Sequence, residues 1–182
     1  MEISRWLTVY DFEQLQIQIK EILKCDYNQG FYTNTPKRSE LFQGDIIQLD
    51  RKFVSINEDG EFEAQKYSDF WIVVGNSCDF ARDVKELPYT NLIPLQQIEK
   101  NAPSKIINGL KNFQNYKHMY VPNFLDDESE YFLDFTKIAT VSKEYLQKEI
   151  TSIKIKELTY SSWVLLHSCI IRYFARDDGR ND

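Results

Sequence analysis

Alternation of apolar and polar positions changes character several times along the chain. Phe12, Leu15, Ile19, Ile22 and Leu23 recur at three- and four-residue steps, which predicts a helix over 12–24 with Asp11 as its cap. Gly30, Asn34 and Pro36 break the pattern and make 28–39 a loop carrying Lys37 and Arg38. From Leu41 onward the texture is that of strands. Strands are expected at 44–49, 53–56, 62–65 and 70–74, and the turn 57–60, with its Asp59-Gly60 step, folds the second onto the third as a hairpin. The run Phe70-Trp71-Ile72-Val73-Val74 is apolar at every position, the mark of a strand buried on both faces. A strand at 91–95 follows, interrupted by Pro94.

The second half alternates between the two periods. Pro103 and Ser104 open a helix over 104–112. Strands are expected at 119–122 and 130–135, joined by the acidic turn at 126–128, and 138–142 extends the sheet. Ser142 caps a short helix through Tyr145 and Leu146, with Lys143 and Glu144 in its first turn. Thr159 caps a final helix over 160–176, whose apolar face is Trp163, Leu166, Ile170, Tyr173 and Phe174. Arg172 and Arg176 complement its dipole. The elements add up to one α+β domain over 1–182. It comprises an N-terminal helix and loop (1–40), a small, strongly bent antiparallel barrel with an inserted helix (41–157), and a C-terminal helix and tail (158–182).

Composition narrows the function. The 182 residues carry 22 Lys and Arg against 28 Asp and Glu, a net charge of −6. That disfavours a general electrostatic grip on nucleic acid and favours a protein partner. The first ten residues lack a basic start followed by an apolar core, and no apolar run approaches the roughly 20 residues of a membrane span, so a cytoplasmic protein without a membrane partner is expected. Cys25, Cys78 and Cys169 are odd in number and widely spaced, which reads as free thiols in a reducing compartment. No Cys and His clustering of the zinc type occurs, nor a Gly-rich phosphate loop, and neither metal nor cofactor is expected.

The chemistry concentrates where the buried strand ends, in Asn76-Ser77-Cys78-Asp79-Phe80-Ala81-Arg82. Small polar residues after a strand are first of all turn chemistry, because Ser and Asp bond nearby backbone N–H groups. The same rim can bind a ligand through Ser77, Cys78, Asp79 and Arg82. It can also hold a nucleophile, Cys78, if a histidine base comes within reach; only His118 and His167 exist. Tyr116, His118 and Tyr120 form the densest polar-aromatic stretch, suited to a peptide or an unpaired base. An acid-x-lysine metal nuclease core at Glu61, Glu63 and Lys66, with Asp45 or Asp50 ahead of it, is a loose match of a kind frequent in charged chains.

The succession Gly44-Asp45-Ile46-Ile47, Trp71 to Asp79, and Asn91-Leu92-Ile93-Pro94-Leu95 resembles the core of PemK/MazF-type toxins over 41–97, roughly a third of the chain. The resemblance implies an SH3-like barrel and a toxin-antitoxin setting. Those ribonucleases place an arginine at the start of the buried strand and a hydroxyl residue after the Pro-containing strand. Here Lys66 and Gln96-Gln97 stand in those places, and a lysine lacks the guanidinium fork. The Ser-Cys-Asp turn, the strands at 119–122 and 131–135 and the Arg-ended last helix together resemble a group of small bacterial and phage proteins with a similar Cys-Asp turn. Both resemblances imply bacterial defence, counter-defence or toxin-antitoxin biology. The leading expectation is a non-catalytic binding or regulatory protein acting through a protein partner. The first alternative is a divergent endoribonuclease using Lys66, Ser77, Asp79 and His118. The second is a Cys78-dependent hydrolase with His118 as base.

Overall fold

The computed structural model describes residues 30–33, 40–66, 68–122, 124–125 and 129–174, together with Ile17 and Glu21. Apart from those two helical positions the predicted first helix lies outside the described residues, as do most of the loop after it, the acidic turn and the tail. Nine strands are described: β1 (Ile46–Gln48), β2 (Phe53–Ile56), β3 (Phe62–Gln65), β4 (Phe70–Val73), β5 (Tyr89–Gln97), β6 (His118–Val121), β7 (Tyr131–Asp134), β8 (Ala139–Ser142) and β9 (Lys154–Lys156). The helices are α1 (Ser77–Phe80), α2 (Ser104–Lys111), α3 (Lys143–Ile153) and α4 (Tyr160–Phe174).

Seven strands form one sheet in the order β6-β7-β5-β4-β1-β9, with β8 added to β5, and every strand pairing described is antiparallel. No pairing of β6 with β9 closes this path among the described residues. The hairpin β2–β3 is a separate two-stranded sheet. Strand β5 is long because it serves two partners along one edge. Leu95 faces Leu133 of β7 and Leu92 faces Ala139 of β8, so three steps along β5 oppose six along the other chain. The surplus is turned out at residues 135–138, where Lys137 N–H closes onto the Asp134 carbonyl.

The all-apolar run of β4 behaves as period-two geometry requires. Ile72 enters the core shared with Ile46, Ile93, Leu95, Leu165 and Leu166. Trp71 and Val73 enter the opposite core with Ile47, Leu92, Leu146 and Ile153. Helices α2 and α4 cover the first face and α3 the second. Two details depart from expectation. Helix α3 continues to Ile153, well beyond Leu146, because Leu146 and Ile153 are seven residues apart and both reach the second core. Strand β9, charged at two of three positions, is recruited by pairing with β1.

Candidate functional site

The site grows from the C-terminal end of β4. Val74 and Gly75 N–H both bond the Asn91 carbonyl, and a Cβ at Gly75 would lie 2.0 Å from Thr90 Oγ1. Only glycine lets the chain pass this close to β5. Asn76 then caps α1, its side chain accepting from Cys78 N–H at 3.1 Å. The end of this single turn is held by Lys143, which is fully buried. Its ammonium donates to the carbonyls of Asp79 and, at 3.1 Å, Arg82. A cation at a helix C-terminus satisfies carbonyls that lack intrahelical partners.

The turn docks on the segment before β1. Ser77 Oγ accepts the N–H of Gln43 at 3.0 Å. Gln43 Nε2 donates to the Val74 carbonyl at 2.9 Å, and Gln43 Oε1 accepts from Trp163 Nε1 at 3.0 Å and meets His167 Nδ1 at 3.1 Å. One amide therefore joins the end of β4, the turn and helix α4. Beside it lies a buried charge cluster. Lys154 Nζ bridges Asp45 Oδ2 at 2.9 Å and Glu157 Oε1 at 2.6 Å, and also donates to the Glu40 carbonyl. Gly44, at φ +96°, swings the backbone so that Asp45 can also cap Phe42 N–H. Desolvation pushes the Asp45 carboxyl up to about 6 despite the lysine. Desolvation also lowers His167, favouring the neutral ring.

Two clefts meet at Ser77 and Phe42. One, of about 390 Å³, is lined by Glu40, Leu41, Phe80, Ala81 and Gln147. The other, of about 470 Å³, is lined by Thr33, Gln43, Asp45, Glu157, Tyr160 and Trp163 among others. Tyr160 and Trp163 pack at 5.7 Å and form an aromatic wall with an exposed outer ring. Thr33 Oγ1, in the same cleft, is buried without a hydrogen-bond partner among the described residues.

The predicted site residues separate into two groups. Ser77, Cys78, Asp79 and Arg82 are together on the turn. Cys78 is exposed, and its Sγ makes no hydrogen bond to a described residue. His118 is elsewhere: β6 is three strands from β4, roughly 14 Å at ordinary strand spacing. Its ring packs edge-on against Phe132 at 5.3 Å, and burial lowers its pKa. His167 reaches Gln43 rather than Cys78. Tyr116 stacks on Tyr173, and Tyr120 is buried, its hydroxyl bonding Glu130 Oε1 at 2.5 Å. The face expected to stack a base is thus turned into the core at Tyr120. Lys66 precedes β4, at the opposite end from Ser77, and bridges Asp50 at 2.8 Å and Asp69. Its two carboxylate bonds, Asp50 first, raise its pKa. The described residues contain no group of three or more His, Cys, Asp or Glu arranged to hold a metal.

Gln43, Lys143, Lys154 and Glu157 escaped sequence reasoning as site residues. Gln43, Lys143 and Lys154 have partners far along the chain, Glu157 enters through its neighbour Lys154, and the main local hint was the cap-like Gly44-Asp45 step. No protein-family model and no curated protein matches the chain.

Proposed function

We propose that the protein is a non-catalytic binding or regulatory subunit of the SH3-like barrel type, working in the bacterial cytoplasm in defence, counter-defence or toxin-antitoxin biology. Its recognition surface is the Ser77 rim with the two clefts beside it, and its ligand is a protein partner. The observation carrying this reading is the bonding state of the rim. Gln43, Lys143, Asn76 and Ser77 are all engaged in holding the turn, and no base stands against Cys78 among the described residues. Nucleophilic catalysis needs that pairing. A fixed turn between two clefts of ligand-pocket size, one with an exposed aromatic, suits recognition.

Purified protein incubated with mixed single-stranded and structured RNA is expected to leave it intact. RNA cleavage that Lys66→Ala abolishes would overturn the proposal in favour of the endoribonuclease. Thiol labelling at neutral pH checks the hydrolase. Cys78 is expected to label at the rate of an ordinary exposed thiol; a burst that His118→Ala or His167→Ala suppresses would contradict the binding role.

A further inference from the structure

We propose that the β2–β3 hairpin and the groove at its base form a two-fold interface between two copies of this chain. This surface is on a different part of the molecule from the Ser77 rim, and the inference does not rest on the function proposed there. In the hairpin, Val54 faces Ala64 and Ile56 faces Phe62. Period-two geometry puts these four side chains on one face. Val54 is 57% exposed, Ile56 65% and Phe62 82%, whereas Phe53, on the other face, packs against the second core. An isolated two-stranded hairpin is marginal in water, so an apolar outer face on one calls for a cover.

The surface carries its own complement. A groove of about 620 Å³ opens at the hairpin base, with Val54, Trp71, Leu92, Ile138 and Val141 among its lining residues. An aromatic ring needs roughly 150 Å³. Val54 belongs to both the groove and the apolar face, so knob and hole are contiguous. A two-fold axis near Val54 and Ile56 sends each Phe62 toward the other copy's groove, the reciprocal contact that defines an isologous dimer. The hairpin face alone exposes about 400 Å² of apolar surface, below the ~800 Å² per partner of a stable interface. The groove adds a smaller area than the face, so the two together stay below that value and fit a weak, concentration-dependent dimer.

Charge fixes the direction. The hairpin tip carries Glu58, Asp59 and Glu61, and its base carries Arg51 and Lys52 beside Lys66, which is spent on Asp50 and Asp69. Arg51 donates to the Tyr145 hydroxyl and the Asp50 carbonyl and also feels the Asp50 carboxylate, which Lys66 bridges, so the base stays net positive with three cations against two carboxylates. Antiparallel docking lays each acidic tip over the other copy's basic base, whereas parallel docking opposes like charges.

Sedimentation equilibrium of the full chain under reducing conditions, which prevent a Cys78 disulfide, tests this. Wild type is expected to rise with concentration from 21.6 kDa toward twice that mass. Phe62→Asp is expected to raise the dissociation constant at least ~30-fold, as loss of an interface anchor does. Glu58→Lys with Glu61→Lys is expected to weaken association about tenfold, and adding Arg51→Glu with Lys52→Glu to restore it within about threefold. Circular dichroism confirms folding of each variant. A wild type monomeric at about 100 μM, a dimer indifferent to Phe62→Asp, or charge reversal without rescue would each overturn the proposal. The first outcome would assign the surface to a different protein.

Discussion

The Ser77 rim and the β2–β3 hairpin are opposite solutions to surface design. At the rim, polar side chains are numerous, and those that hold the turn spend their hydrogen bonds inward: Gln43 serves four partners and Lys143 two. At the hairpin, apolar side chains are numerous and most face water. A rim of that kind holds its shape whether or not a ligand is present. A hairpin of that kind gains stability only when covered. Substitutions should therefore damage stability at the rim and association at the hairpin.

The largest effect is expected at Lys143. Lys143→Ala removes two charge-assisted hydrogen bonds from a fully buried ammonium to part-buried carbonyls, at a cost of about 3 kcal/mol in urea unfolding. A cost below about 0.5 kcal/mol would mean that the turn is not held from α3. Next is the pH response of the Asp45 cluster. Its carboxyl binds a proton more tightly in the folded state, about 6 against an ordinary 3.8. The stability it contributes is full below the unfolded value and is lost as pH rises through about 6. Between pH 4 and 6 this group should lower stability by on the order of 2 kcal/mol. Asp45→Asn is expected to flatten that part of the profile, measured by urea titration at each pH; an unchanged slope would assign the response to other carboxyls. Trp163→Phe removes one bond to Gln43 Oε1 and should cost about 1 kcal/mol. The smallest effect is expected at the hairpin, where Phe62→Ser should leave monomer stability within about 0.5 kcal/mol. A larger loss there would erase the contrast between the two regions.

The same contrast governs what could be read from the chain. Strand β4 was legible because its apolar run needs cores on both sides, and both exist. The hairpin was legible from Asn57 to Gly60, whose turn has Gly60 at φ +81°. Helix α4 was legible as an element from Thr159, but its buried face was not: Val164, Leu165, Ser168, Cys169 and Arg172 turn inward with Leu166, while Phe174, expected on that face, is exposed. Such signals are local. The extra strand β9 gives no local signal, since only β1 makes Lys154-Ile155-Lys156 extended. The rim itself was anticipated from Ser77 to Arg82, but what fixes it was not. Gln43 is 34 residues from Ser77 and 120 from Trp163, and Lys143 is 64 from Asp79. A buried lysine in a helical first turn reads from sequence as an exposed one. The placing of His118 beside Cys78 failed as an expectation for the same reason: strand order, not strand pattern, sets the distance between them.

The central claim is that the Ser77 rim binds a protein and the hairpin face does not share that task. Its most direct test is quantitative capture from the native cell, comparing wild type with Tyr160→Ala, Ala81→Arg and Phe62→Asp. Tyr160 and Ala81 line the two clefts at exposed positions. The account predicts a partner that binds stoichiometrically, is lost with Tyr160→Ala and Ala81→Arg, and is kept with Phe62→Asp. A partner captured equally by all four proteins, or lost only with Phe62→Asp, would contradict it.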